Sequence, residues 1–119
     1  MNTDNPLFVT LAVCGTAVIL TGIFTKIFPP KKINIFYGHR TRTSMKNQRN
    51  WDYAQKHFAS ELIKAGVLML LFSFFGLMIS STEVYWMVMA LIFISIILFY
   101  FSWRTDRAVK KFETKNPEI

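Results

Sequence analysis

The chain has 119 residues, 52% of them apolar, with 14 Lys and Arg against 7 Asp and Glu and a single cysteine, Cys14. That length holds one domain, and a lone thiol excludes an intramolecular disulfide, a multi-cysteine metal centre and dithiol redox chemistry. A net charge of +7 would suggest nucleic acid in a soluble protein. Here the basic residues flank long apolar runs instead, so anionic lipid headgroups are the expected counter-charge and nucleic acid is not an expected partner.

No charged residue occurs between Asp4 and Lys26, from Ala65 to Thr82, or from Val84 to Trp103, and each run is long enough to cross a bilayer. The first predicted span runs from Leu7 to Phe28. Its leader, MNTDNPLF, is acidic, whereas a cleaved signal needs a basic region ahead of its apolar core. The span is therefore expected to stay uncleaved, with Cys14 packed as a small thiol. Thr10, Thr16 and Thr21 are expected to bond their own helix backbone. Pro29-Pro30 ends the helix by removing donors and obstructing the preceding turn.

Residues 29–64 read in two halves. The stretch from Ile33 to Thr43 is short and partly alternating, broken at Gly38, and is predicted to lie extended under the membrane. From Ser44, a candidate cap, the pattern turns helical: Trp51, Ala54, Phe58 and Leu62 recur every three or four residues, and Asp52 and Lys56 form an i, i+4 pair. This predicts an amphipathic interfacial helix running into the second span, with Lys46, Arg49, Lys56 and Lys64 reaching headgroups. His39 and His57 are too few and too far apart for a metal and are expected to be solvated or at the membrane surface, although His57 and Glu61 share a helix face and can form one proton-sensitive contact.

Spans two and three, 65–82 and 84–103, form a hairpin turned by Ser80, Ser81, Thr82 and Glu83. Ser73, Gly76 and Ser80 lie at i, i+3 and i+7, a small-residue face expected to contact another helix. Tyr85 and Trp86 at one end of span three, and Tyr100 and Trp103 at the other, suit headgroup belts. No span carries an ionisable residue in its middle, which argues against a pump or channel. Residues 104–119 form a basic tail. All fourteen Lys and Arg fall between Lys26 and Lys64 or between Arg104 and Lys115, so the expected topology has the N-terminus outside and the loop and C-terminus in the cytoplasm. The expected fold is an all-α integral membrane protein with three transmembrane helices and one interfacial helix.

The run Asn34, Tyr37, Gly38, Arg40, Thr41, Ser44, Lys46, Asn47 and Trp51 resembles the signature of the SdpI family of bacterial integral membrane proteins, N-x-x-Y-G-x-R-T-x-x-S-x-K-N-x-x-x-W. The resemblance implies a multi-pass protein of the bacterial cytoplasmic membrane. Its members protect a producing cell from its own secreted killing peptide, and some relay the toxin's presence to a cytoplasmic repressor; the better-known ones carry extra spans ahead of this unit. The residues themselves allow two roles. Arg40 and Arg42, with the hydroxyls of Thr41, Thr43 and Ser44, can form an anion or partner site at a helix start, held at headgroup depth by Tyr37 and Trp51. Alternatively, Asn34, Arg40 and Ser44 tie the loop to exposed carbonyls. Asp52 and Glu61 have no evident catalytic partner, so neither enzyme activity nor a cofactor is expected. Two functions remain: immunity to or sensing of an antimicrobial peptide, and an accessory subunit packed on another membrane protein or on a second copy.

Overall fold

A computed structural model of the chain describes residues 2–116. Among them are three helices, α1 Pro6–Ile27, α2 Gln48–Gly76 and α3 Tyr85–Lys115, each long and apolar enough to cross a membrane. They form an antiparallel up-down-up bundle measuring 57 × 24 × 21 Å. The boundaries follow from local chemistry. The Asn5 side chain accepts from the Leu7 and Phe8 amides, and Pro6 begins α1 where no intrahelical donor is needed. Asn47, not Ser44, caps α2 by accepting from the Asn50 amide. The expected interfacial stretch is thus the first half of α2, with no break before the apolar run.

The bundle has an inverted surface. Val13, Leu20, Leu71, Ile96 and Phe99 are more than half exposed, a breadth of apolar exposure that only lipid accommodates. The inside is narrow: Leu11, Ala65, Met69, Ala90, Ile94, Ile97 and Phe101 form the core. Tyr85, Tyr100 and Trp103 are about half exposed at the two ends of the apolar run of α3. Thr16 and Thr21 donate to the carbonyls one turn back, as expected.

Helices α1 and α2 approach through small residues. Gly15 and Gly22 lie one heptad apart on α1, opposite Gly66 and Ala59 on α2. A methyl group at Gly66 would sit 2.7 Å from the Gly15 carbonyl oxygen, and one at Gly76 would sit 2.5 Å from the Phe8 amide nitrogen. Ser73 and Gly76 are buried, in keeping with the predicted contact face. Ser80 is not part of it: α2 stops at Gly76, and Ser80 lies exposed in the following turn. That turn is stitched to the chain start, with the Asn2 amide donating to the Leu77 carbonyl and Asn5 Nδ2 donating to the Ser81 carbonyl at 2.8 Å.

The 29 and 31 residues of α2 and α3 reach about 43 and 46 Å at about 1.5 Å per residue, against about 33 Å for α1. Both therefore extend past the end of α1. The basic tail expected over 104–119 continues α3 as far as Lys115, with 117–119 outside the described residues, and the loop 28–47 fills the space left beyond α1.

Because the added methyl would meet the Gly15 carbonyl and the Ile19 amide as well as the Ile19 side chain, and the backbone atoms cannot turn aside, Gly66→Ala should cost about 1–3 kcal/mol. Thermal unfolding in detergent checks this, with Leu20→Ala on the exposed face of α1 as a control that leaves the midpoint nearly unchanged.

Candidate functional site

The loop between α1 and α2 is built as a clasp. Trp51 is fully buried and donates its indole N–H to the Pro30 carbonyl at 2.6 Å. One turn before it, Gln48 Nε2 donates to the Lys31 carbonyl and to Asp52 Oδ1. Asp52 is thus held by Gln48, and the i, i+4 pair with Lys56 expected from the helix spacing is not formed. Asn34 accepts from the Phe36 and Tyr37 amides and closes a tight turn. The Tyr37 hydroxyl donates to the Phe28 carbonyl at 2.7 Å, satisfying the frayed end of α1.

Gly38 has φ +99°, and a side chain there would run into Gln55 and Pro30; only glycine fits both the backbone and the space. Gln55, 1% exposed, grips the next residue from both sides: its Oε1 accepts from the His39 amide at 2.6 Å and its Nε2 donates to the His39 carbonyl at 2.8 Å. His39 is 4% exposed, not solvated as expected. Helix α3 supplies what its ring needs, since Nε2 lies 2.9 Å from Asp106 Oδ1. The same carboxylate oxygen accepts from the Thr41 hydroxyl at 2.7 Å. Ser44, fully buried, donates to the His39 carbonyl and accepts from the Thr41 amide. Arg40 is exposed and donates from Nη1 to the Ile35 carbonyl of its own loop.

A second contact closes the clasp one turn further out. Glu113 accepts from Asn50 Nδ2 at 2.5 Å and pairs with Lys46 at 3.1 Å, while the Tyr53 and Phe112 rings stack with centroids 4.4 Å apart. Nearer the apolar run, Glu61 is 1% exposed at the seam of α2 and α3. Lys64 Nζ stands 3.3 Å from it, Arg104 Nε 3.6 Å and His57 Nε2 3.9 Å, so the His57 to Glu61 contact read from the sequence is present but long.

Two groups beyond the uncharged runs are shifted. The Asn50 hydrogen bond, then the Lys46 hydrogen bond, hold the Glu113 carboxyl below its ordinary 4.5. Partial burial pushes the His57 imidazole below its ordinary 6.5, with Glu61 pulling the other way. In both cases the folded chain favours the deprotonated form, so each contribution is complete above the ordinary value and is lost as the pH falls below it.

All nine signature positions therefore meet in one clasp. The hydroxyls of Thr41 and Ser44, expected around an anion, are donors committed to internal acceptors, whereas Arg42 stays exposed. Sequence reasoning missed Pro30, Gln55, Asn50, Asp106 and Glu113. Gln55 had a signal, a polar residue one turn after Trp51 on the apolar side of a helix; Asp106 and Glu113 share a face of α3 at i, i+7, but nothing in the order of residues pairs them with a loop over sixty positions earlier.

Three apolar helices with lipid-type surfaces and a polar clasp at one end define a multi-pass helical membrane protein. The sequence model of the SdpI/YfhL protein family matches residues 31–102, and the chain belongs to that family. It is also similar to a Bacillus subtilis (strain 168) protein described as uncharacterized protein YfhL, with 48% identity over 54 residues, 45% of this chain and 49% of that one. The chain thus spans about half the length of the curated relative it matches. No solved structure matches.

Asp106→Ala leaves the His39 ring and the Thr41 hydroxyl without their acceptor and should cost about 1.5–3 kcal/mol, whereas Arg40→Lys, losing one exposed loop contact, should stay within about 0.5 kcal/mol. Thermal unfolding in detergent, with trypsin cleavage of the loop as a second readout, distinguishes the two. The midpoint should also fall as the pH drops below 6.5, the ordinary imidazole value, and His57→Gln should remove that first step while leaving the later acid loss due to Glu113.

Proposed function

We propose that the chain is a non-catalytic immunity or sensing protein of the bacterial cytoplasmic membrane, protecting the cell from a secreted membrane-active peptide, with its N-terminus outside and its clasp in the cytoplasm. The orientation rests on the placement of every Lys and Arg at the loop end and the α3 terminus. The observation that carries the reading is the clasp itself: the family signature is spent on joining the loop to α2 and α3, through Gln55, Asp106 and Glu113. A change in helix packing within the bilayer would then reach the loop directly, where the basic residues meet the cytoplasm. The non-catalytic part rests on the commitment of Thr41, Ser44 and His39 to internal partners.

On this topology the described residues of the outer end are tied to one another, with Asn2 and Asn5 stitched to the 77–81 turn. The peptide is therefore met within the bilayer, against exposed apolar faces such as those of Phe74, Phe75, Ile92 and Ile96. Capture through helix faces is governed by close packing and not by a hydrophobic drive.

Expression in a sensitive strain should raise survival against a secreted bacterial peptide, and Gly76→Leu should abolish that protection while the protein still inserts, as checked by membrane blotting. No protection by well-expressed parent, with stable co-purification of a larger membrane complex, would instead indicate an accessory subunit. Cysteines at Asn47 and Thr3, placed in a Cys14→Ala background, report the orientation: an impermeant reagent should label the second in intact cells and not the first.

A further inference from the structure

We propose that the cavity between the end of α1 and the start of α2 binds the phosphate of an anionic phospholipid headgroup. The cavity measures 650 Å³ and is lined by Lys26, Lys31 and Lys56, with Thr25, Gln48 and Asp52 among its other walls. Three ammonium groups face one carboxylate there, an excess of two positive charges. Among the described residues none of the three lysines has an ion-pair partner, although Lys46 and Lys64 do. Asp52 accepts from the Gln48 amide and pairs with none of the three, so its single charge offsets one lysine of the three and two remain in excess. Three exposed like charges gathered around a shared space repel one another and attract an anion into it.

The position selects the kind of anion. Lys26 sits in the last turn of α1, where the uncharged run ends, so the cavity opens at the depth at which lipid phosphates lie once α1 spans the bilayer. Ile23, one turn before Lys26 and nearer the bilayer interior, and Ile27 beside it are 42% and 62% exposed; they offer acyl chains an apolar surface next to Lys26. A soluble phosphate would gain nothing from that surface. A zwitterionic headgroup brings its own cation into a space that already carries two in excess, so phosphatidylglycerol or cardiolipin fits and phosphatidylcholine does not. Lysine suits the task as a compact point charge with three donors that can follow a phosphate through its orientations. The inference depends on the membrane-spanning reading and is independent of any protective role.

The test uses the purified full chain, delipidated in detergent and titrated with phosphatidylglycerol or phosphatidylcholine, with bound lipid counted by native mass spectrometry. All three lysines are exposed and unpaired, so the triple variant Lys26→Gln, Lys31→Gln, Lys56→Gln should fold, which circular dichroism confirms; Lys56→Gln alone serves if it does not, with a smaller loss of the same kind. Phosphatidylglycerol should stay bound to the parent, and its affinity should fall by at least about tenfold in the triple variant. Removing equal charge from the far end of α3, with Arg107→Gln, Lys110→Gln and Lys111→Gln, should leave it intact. Equal losses in both triple variants, equal retention of phosphatidylcholine, or displacement of the lipid by inorganic phosphate at matching concentration would each overturn the proposal.

Discussion

Lipid chains are as apolar as leucine, so three apolar helices gain nothing from hiding their side chains from one another, and association depends on how closely their backbones can approach. In this chain that approach is made where Gly15 faces Gly66 and where Gly22 lies against Ala59 and Ile63. The small residues fall one heptad apart on both helices, the spacing that keeps a single seam facing inward along a gently supercoiled pair. Everything else in the bundle is placed by that seam. It sets where α1 stops relative to α2, and thereby how much of α2 and α3 extends beyond it.

The extension creates a second problem with a different solution. Past the end of α1, helices α2 and α3 leave the apolar depth and are flanked by a loop whose backbone donors and acceptors must all be satisfied. The clasp satisfies them with side chains that are themselves buried: Trp51 takes the Pro30 carbonyl, Gln55 takes both sides of His39, and Ser44 takes the His39 carbonyl and the Thr41 amide. Helix α3 then locks the assembly through two carboxylates, Asp106 and Glu113. A buried polar network is costly wherever a partner is lost; here Asn50 Oδ1 is the member left without one.

Charge is distributed unevenly across this end. Glu61 is surrounded by Lys64, Arg104 and His57, and Glu113 by Lys46 and Asn50, so each carboxylate of the α2 and α3 seam has its cation within the chain. The α1 and α2 junction differs: three lysines and one carboxylate line its cavity, and none of those lysines has an ion pair among the described residues. That excess of positive charge is the observation on which the proposed headgroup site rests.

Residue order alone carried the three spans, the bias of every basic residue to one end, the amphipathic stretch leading into span two, and the Ser73 and Gly76 contact, since length, hydropathy and helical period are local properties. It also placed Asn34, Gly38 and Ser44 in a loop that must serve its own carbonyls. The cap at Asn47 in place of Ser44, the loss of Ser80 from the packing face, and the burial of His39 were decided by the fold. Ser44 is drawn away from capping by the His39 carbonyl five residues before it, Ser80 falls outside because α2 stops at Gly76, and His39 is buried because Asp106, 67 residues later, offers it an acceptor. A hydrogen bond across such a separation exists only once the helices have packed, and no spacing within the loop encodes it.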